Sequence, residues 1–139
     1  MNDYRVAAVL SALFAGLTAV LAKKGVEGVP GNLALAIRVT VVVLFAWVLV
    51  LVSRETDLRA VPRAAWAWLA LSGVGTGLSW LFYFRALKGG PVSVVAPIDK
   101  LSFVIAVALG LLILRERPSS NVLIGAAVVA LGVGIALRG

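Results

Sequence analysis

In residues 96–114, APIDKLSFVIAVALGLLIL, one acid and one base stand side by side, and every other side chain is apolar or small. A carboxylate and an ammonium in such surroundings can bind charged cargo, exchange a proton, or neutralise one another. A second base, Arg38, interrupts the apolar run 33–52. In hydrocarbon each such residue costs about 2.5–3.5 kcal/mol at a helix centre. Neighbouring residues on a helix point about 100° apart, so Asp99 and Lys100 are expected to need separate partners. Arg38 lies at a depth overlapping that of Asp99, counted from the same side. It is either the partner of Asp99 or a contact for cargo, unless it snorkels to the head groups.

Three further features surround these charges. Pro97 has no backbone N–H and clashes with the preceding turn, which frees the Ser93 carbonyl and predicts a helix break there. Interrupted helices near the midplane are where carriers place substrate and ion sites. On an unbroken helix, Asp99, Ser102, Ala106 and Gly110 share one face that is polar or small. The cluster Trp80, Leu81, Phe82, Tyr83, Phe84 precedes Arg85. It reads either as an interfacial aromatic belt or as a cavity wall in which Trp80 and Tyr83 offer flat contacts. The residues taken as candidates for substrate or ion binding are therefore Asp99, Lys100, Arg38, Ser102, Trp80 and Tyr83.

Much chemistry is missing. The sequence has no histidine and no cysteine, so the usual metal ligands, general base and thiol nucleophile are absent. No phosphate-cradling GxxxxGK, HExxH or Ser–His–Asp set occurs. The remaining acids, Asp3, Glu27, Glu55, Asp57 and Glu116, fall in expected tails or loops. No catalytic residue, metal site or cofactor is expected, and the chain is not read as an enzyme.

The elements that must hold these residues are legible in composition. The chain of 139 residues is 62% hydrophobic and 14% charged, with a mean hydropathy of +1.08. Its apolar residues form continuous runs at 6–22, 33–52, 64–84, 91–114 and 122–137, the last extended to 120 by a cap from Ser119 to Asn121. Each run approaches the roughly 20 residues a helix needs to cross about 30 Å of hydrocarbon. Membrane barrels show alternating segments of about 10 residues instead. The expectation is an all-α polytopic membrane protein with five transmembrane helices in one domain spanning 1–139. The first run, preceded by Arg5, resembles a signal peptide, but the four spans that follow favour helix 1. Gly73 and Gly77 on the third run, and Gly125 and Gly132 on the fifth, are expected where helices pack closely.

Short connections predict antiparallel neighbours, and five spans put the termini on opposite sides. The N-terminal side then holds Arg5, Arg54, Arg59, Arg63, Arg115 and Arg117, and the other holds Lys23, Lys24, Arg85, Lys88 and Arg138. Orientation follows the Lys/Arg difference between short loops, and here that difference is one. The tie permits dual topology, in which inverted copies of one chain pair. The net charge of +7 sits mainly at span ends, where cations anchor to head groups, so nucleic acid is not an expected partner.

The segments FYFRALKGGPVSVVAPIDKLS (82–102) and LRERPSSNVLIGAAVVALGV (114–133), with SALFAGLTAVLAKKG (11–25), resemble the EamA-type repeat of the drug/metabolite transporter superfamily. The resemblance implies a carrier of small metabolites or drug-like solutes in the cell (inner) membrane. Most relatives are ten-helix proteins built from two such units inserted oppositely, so this half-unit is expected to act as an antiparallel homodimer working by alternating access. The distantly similar four-helix exporters use an acid in helix 1, which this chain lacks, and Asp99 is left as the acid able to couple protons. A non-transporting membrane subunit that assembles or anchors another protein is the alternative. The sequence leaves the identity and sign of the cargo open.

Reporters fused to the C-terminus are expected to give signal from both sides of the membrane, because the loop charges do not select an orientation. Signal from one compartment alone contradicts dual insertion.

Overall fold

The computed structural model describes residues 4–138. Its order is α1 (Tyr4–Gly25), α2 (Gly31–Ser53), a 3₁₀ turn (Leu58–Ala60), α3 (Arg63–Gly89), α4 (Val92–Asp99), α5 (Leu101–Leu112) and α6 (Ser120–Ala136). No strand occurs among the described residues. The protein is all-α and membrane-embedded. The helices α1, α2, α3 and the combined stretch Val92–Leu112 are long and apolar enough to cross a bilayer, and α6 is a shorter apolar helix.

The solvent these helices require is visible in their surfaces. Phe45 is 63% exposed, Trp68 72% and Leu131 70%. A water-soluble monomer rarely shows large continuous apolar faces, but acyl chains match them. The buried apolar set is correspondingly small and rich in alanine, with Ala19, Ala22, Val26, Ala34, Phe84, Leu87, Ala126 and Val133. Small residues suit helices that associate through dispersion contacts in lipid, where water exclusion supplies no drive.

The chain groups into two compact units. One contains α2, α3 and the turn before α2. Pro30 occupies the N-cap of α2, and its carbonyl accepts from Ala34 N at 3.0 Å. At the other end Arg54 takes a left-handed conformation (φ 57°), Arg54 N donates to Leu51 O, and Glu55 N donates to Val50 O at 3.1 Å. These bonds satisfy carbonyls that the helix end would leave bare. Asp57 Oδ1 then accepts from Arg59 N at 3.0 Å and fixes the 3₁₀ turn. The chain returns as α3, which packs on α2; Ala34, Phe84 and Leu87 are the buried residues of the two helices. Lys88 Nζ donates to Val29 O at 3.3 Å, tying the last turn of α3 to the turn before α2.

The second unit contains α1 up to Lys23, with α4, α5 and α6. Lys23 Nζ donates to Gly90 O at 2.8 Å, joining the end of α1 to the turn that opens α4. Pro91 is the N-cap of α4. At the close of α5, Arg115 is left-handed (φ 55°) and Glu116 N donates to Gly110 O at 3.1 Å. A methyl group on Gly110 would lie 3.0 Å from Glu116 Oε2, so glycine leaves room for this carboxylate against the helix. Ser119 takes the N-cap position of α6, although its side chain makes no capping bond.

Two boundaries differ from the sequence reading. Residues 85–89 are helical, so α3 runs five residues past its expected end and the connection to α4 shrinks to Gly90 and Pro91. Arg, Ala, Leu and Lys all favour helix, and Leu87 is wholly buried; the helix stops only at glycine and proline. The run 91–114 is two helices, with the break at Lys100 rather than at Pro97. Pro97 remains inside α4, and its disturbance is felt one turn later: Lys100 N donates to Pro97 O at 3.0 Å and Phe103 N to Lys100 O at 3.1 Å, both over three residues. The tighter turn ends one helix and starts the next.

Because Leu87 is 0% exposed, Leu87→Ala is expected to lower thermal stability in detergent by about 1–3 kcal/mol, the lost packing without most of the water-transfer contribution. Leu131→Ala, on an open face, should change it little. Equal effects would contradict the burial of Leu87.

Candidate functional site

The sequence-selected residues fall into two sets, one in each compact unit. In the unit of α4, α5 and α6, Lys100 Nζ lies 3.6 Å from Asp99 Oδ2. The two charges thus meet one another, contrary to the expectation drawn from an unbroken helix. Lys100 stands in the turn between α4 and α5 with a backbone that is still right-handed helical (φ −70°, ψ −8°), so the contact is made by its long, flexible stem reaching back. The pair is open on one side, with the Lys100 side chain 57% exposed and that of Asp99 38%.

The same break disrupts the face expected from Asp99 to Gly110. Ser102 and Ala106 are exposed, whereas Gly110 is buried beside Glu116. Ser102 therefore shares the outer surface with Lys100, and Gly110 serves the contact with the loop that follows α5.

In the hairpin unit, Arg38 is the eighth residue of α2. Its guanidinium carbon lies 4.5 Å from the ring centre of Trp80 and 5.5 Å from that of Phe84. Trp80 and Phe84 are four residues apart on α3 and so present one face. Attraction between a guanidinium and an aromatic face reaches about 2 kcal/mol or more where water is excluded. Tyr83, half-buried on the same stretch, lies within electrostatic reach of Arg38. Arg38 Nη1 is buried and has no hydrogen-bond partner among the described residues. An unmet buried donor is costly, and more so when it carries charge.

This arrangement divides the aromatic cluster. Trp80 and Phe84 form a platform for a cation, whereas Phe82 points outward and is approached by Arg85 at 5.9 Å. Phe84 was not among the sequence-selected residues, and its four-residue spacing from Trp80 was the available signal. A cavity of about 520 Å³ at the same end of the hairpin was also missed. It is lined by Pro30, Gly31, Asn32, Arg85, Lys88 and Gly89, residues that the sequence reading had assigned to connecting loops.

The expected packing glycines are open. A methyl group added at Gly73, Gly77, Gly125 or Gly132 would meet nothing within 4 Å. Asp3 lies outside the described residues. Among the described residues no group of three or more His, Cys, Asp or Glu side chains could hold a metal ion.

Fold and charges together define a polytopic α-helical membrane protein with ionised side chains inside its spans and a broken helix beside one pair of them. The profile of the EamA-like transporter family matches residues 5–138, and the chain belongs to that family. An uncharacterized transporter in the cobO 3' region of Sinorhizobium sp is 43% identical over 126 residues, which cover 90% of this chain and 89% of that protein. No solved structure matches the chain.

Proposed function

We propose that the protein is a carrier of a small metabolite or drug-like solute in the cell membrane, working by alternating access as an antiparallel homodimer. The observation that carries this reading is the interrupted span at Lys100, which holds an ion pair on an open side within an otherwise apolar segment. A charged pair facing acyl chains is unfavourable; one facing a hydrated passage is not. Cover from an inverted copy would supply such a passage, and the near-tie in loop charges permits that copy to insert.

In this reading cargo is bound between the copies by the mid-span charges. Asp99 holds a cation or proton, Lys100 is its counter-charge when cargo is absent, and Arg38 takes an anionic group, with Ser102, Trp80 and Tyr83 lining the passage. The break beside Pro97 gives the α4–α5 span a joint about which half a helix can tilt. The open glycines Gly73, Gly77, Gly125 and Gly132 allow another chain's helices to approach closely. Nothing in the reading requires catalysis or a cofactor.

Asp99→Asn is expected to abolish solute flux in proteoliposomes while the protein still inserts and stays folded. Flux at the wild-type rate in that variant would remove Asp99 from the mechanism. Absence of flux for any solute by the wild-type protein would instead support a non-transporting membrane subunit.

A further inference from the structure

The charges inside the spans do not balance. Asp99 is met by Lys100 at 3.6 Å, which leaves the guanidinium of Arg38. The helices of its own unit cannot answer it, because neither α2 nor α3 contains an acid, while together they carry Arg38, Arg63, Arg85 and Lys88. The acids of that unit, Glu27, Glu55 and Asp57, all lie outside its helices. The rings of Trp80 and Phe84 offer π-electron density but no lone pair, so the buried Nη1 donor of Arg38 still lacks an acceptor.

An independent feature points to the same chemistry. The cavity at the start of α2 and the end of α3 has Arg85 and Lys88 in its wall and no acid. Arg38 lies seven residues beyond Gly31, about 10 Å further along α2, and its platform residue Phe84 directly precedes Arg85. A basic mouth raises the local concentration of anions, and a guanidinium deeper in the hairpin receives an oxyanion through paired, charge-assisted hydrogen bonds.

We propose that the cargo is a small organic oxyanion, bearing a carboxylate or phosphate group, collected at the Arg85–Lys88 mouth and bound at Arg38. This rests on the carrier reading and names its substrate class. The ring platform holds the guanidinium when empty, and the arriving oxygens satisfy Nη1. Arg38 is the specificity-determining residue, and Arg85 and Lys88 act on capture.

The test uses the full chain in vesicles of phosphatidylcholine and phosphatidylethanolamine, which carry no net charge. Acetate, succinate and glycerol 3-phosphate are compared with tetramethylammonium and glucose, by uptake and by ligand-induced thermal shift in detergent. At least one of the anions should bind and accumulate. Arg38→Gln should weaken binding and uptake of that anion about ten- to a hundredfold, the loss of one or two hydrogen bonds to a charged group. Arg38→Lys, which keeps the charge and guards against misfolding, should recover only part of it. Arg85→Gln with Lys88→Gln should raise the half-saturation concentration several-fold, flatten its salt dependence and leave maximal uptake intact. Added cardiolipin should change none of these values; if it raises half-saturation as the mouth substitutions do, the mouth is a lipid-headgroup site and the proposal fails. Uptake of tetramethylammonium or glucose without any anion, unaffected by Arg38→Gln, keeps the carrier and overturns the oxyanion. Binding of an anion at Arg38 with no uptake keeps the oxyanion site and overturns the carrier. If no anion is either bound or taken up, the proposal is overturned.

Discussion

Hydrocarbon supplies no partner for a charge or for a bare backbone group, and every feature of this chain answers that constraint. Backbone groups are closed within helices, the only open-ended way for a segment to cross a bilayer. Helix C-termini, where carbonyls become free, are followed by left-handed arginines at 54 and 115, and α2 and α4 start from N-cap prolines at 30 and 91. Apolar side chains that would be buried in water are displayed outward here. The buried residues are mostly alanine, with a few larger ones such as Leu87 and Phe84.

Against that background the three ionised groups away from the span ends, Arg38, Asp99 and Lys100, stand out, and the fold treats them differently. Asp99 and Lys100 answer each other across a break in their own span. Arg38 has an aromatic platform and an unanswered donor. The first arrangement is neutral overall. The second is a standing positive charge.

How far the sequence alone led is uneven, for physical reasons. The spans were legible because length and continuity of apolar residues are set directly by bilayer thickness, and four of the five matched membrane-length helices. The end of α3 was not, because Arg85 and Lys88 beside Gly89 and Gly90 look like a loop, although the propensities of 85–88 and the burial of Leu87 extend the helix. Pro97 announced a break, but its position at Lys100 depends on which backbone bonds re-form, and Pro97 O accepts the N–H of Lys100. The pairing of Asp99 with Lys100 rests on the reach of the lysine stem, which the angular offset of an ideal helix does not show. The platform under Arg38 joins residues more than forty positions apart. Periodicity marks Trp80 and Phe84 as sharing a face, but only tertiary packing says what that face meets.

In the proposed carrier the surface around the Lys100 break meets water inside the membrane and not lipid. The chain contains no cysteine, so a single cysteine placed at Ser102 reports on its surroundings without background. In lipid vesicles Ser102→Cys should react readily with a charged, water-soluble thiol reagent, while Val128→Cys, on the exposed apolar face of α6, should resist it. If the thiol at 102 is as unreactive as the one at 128, the break faces acyl chains and the account is contradicted.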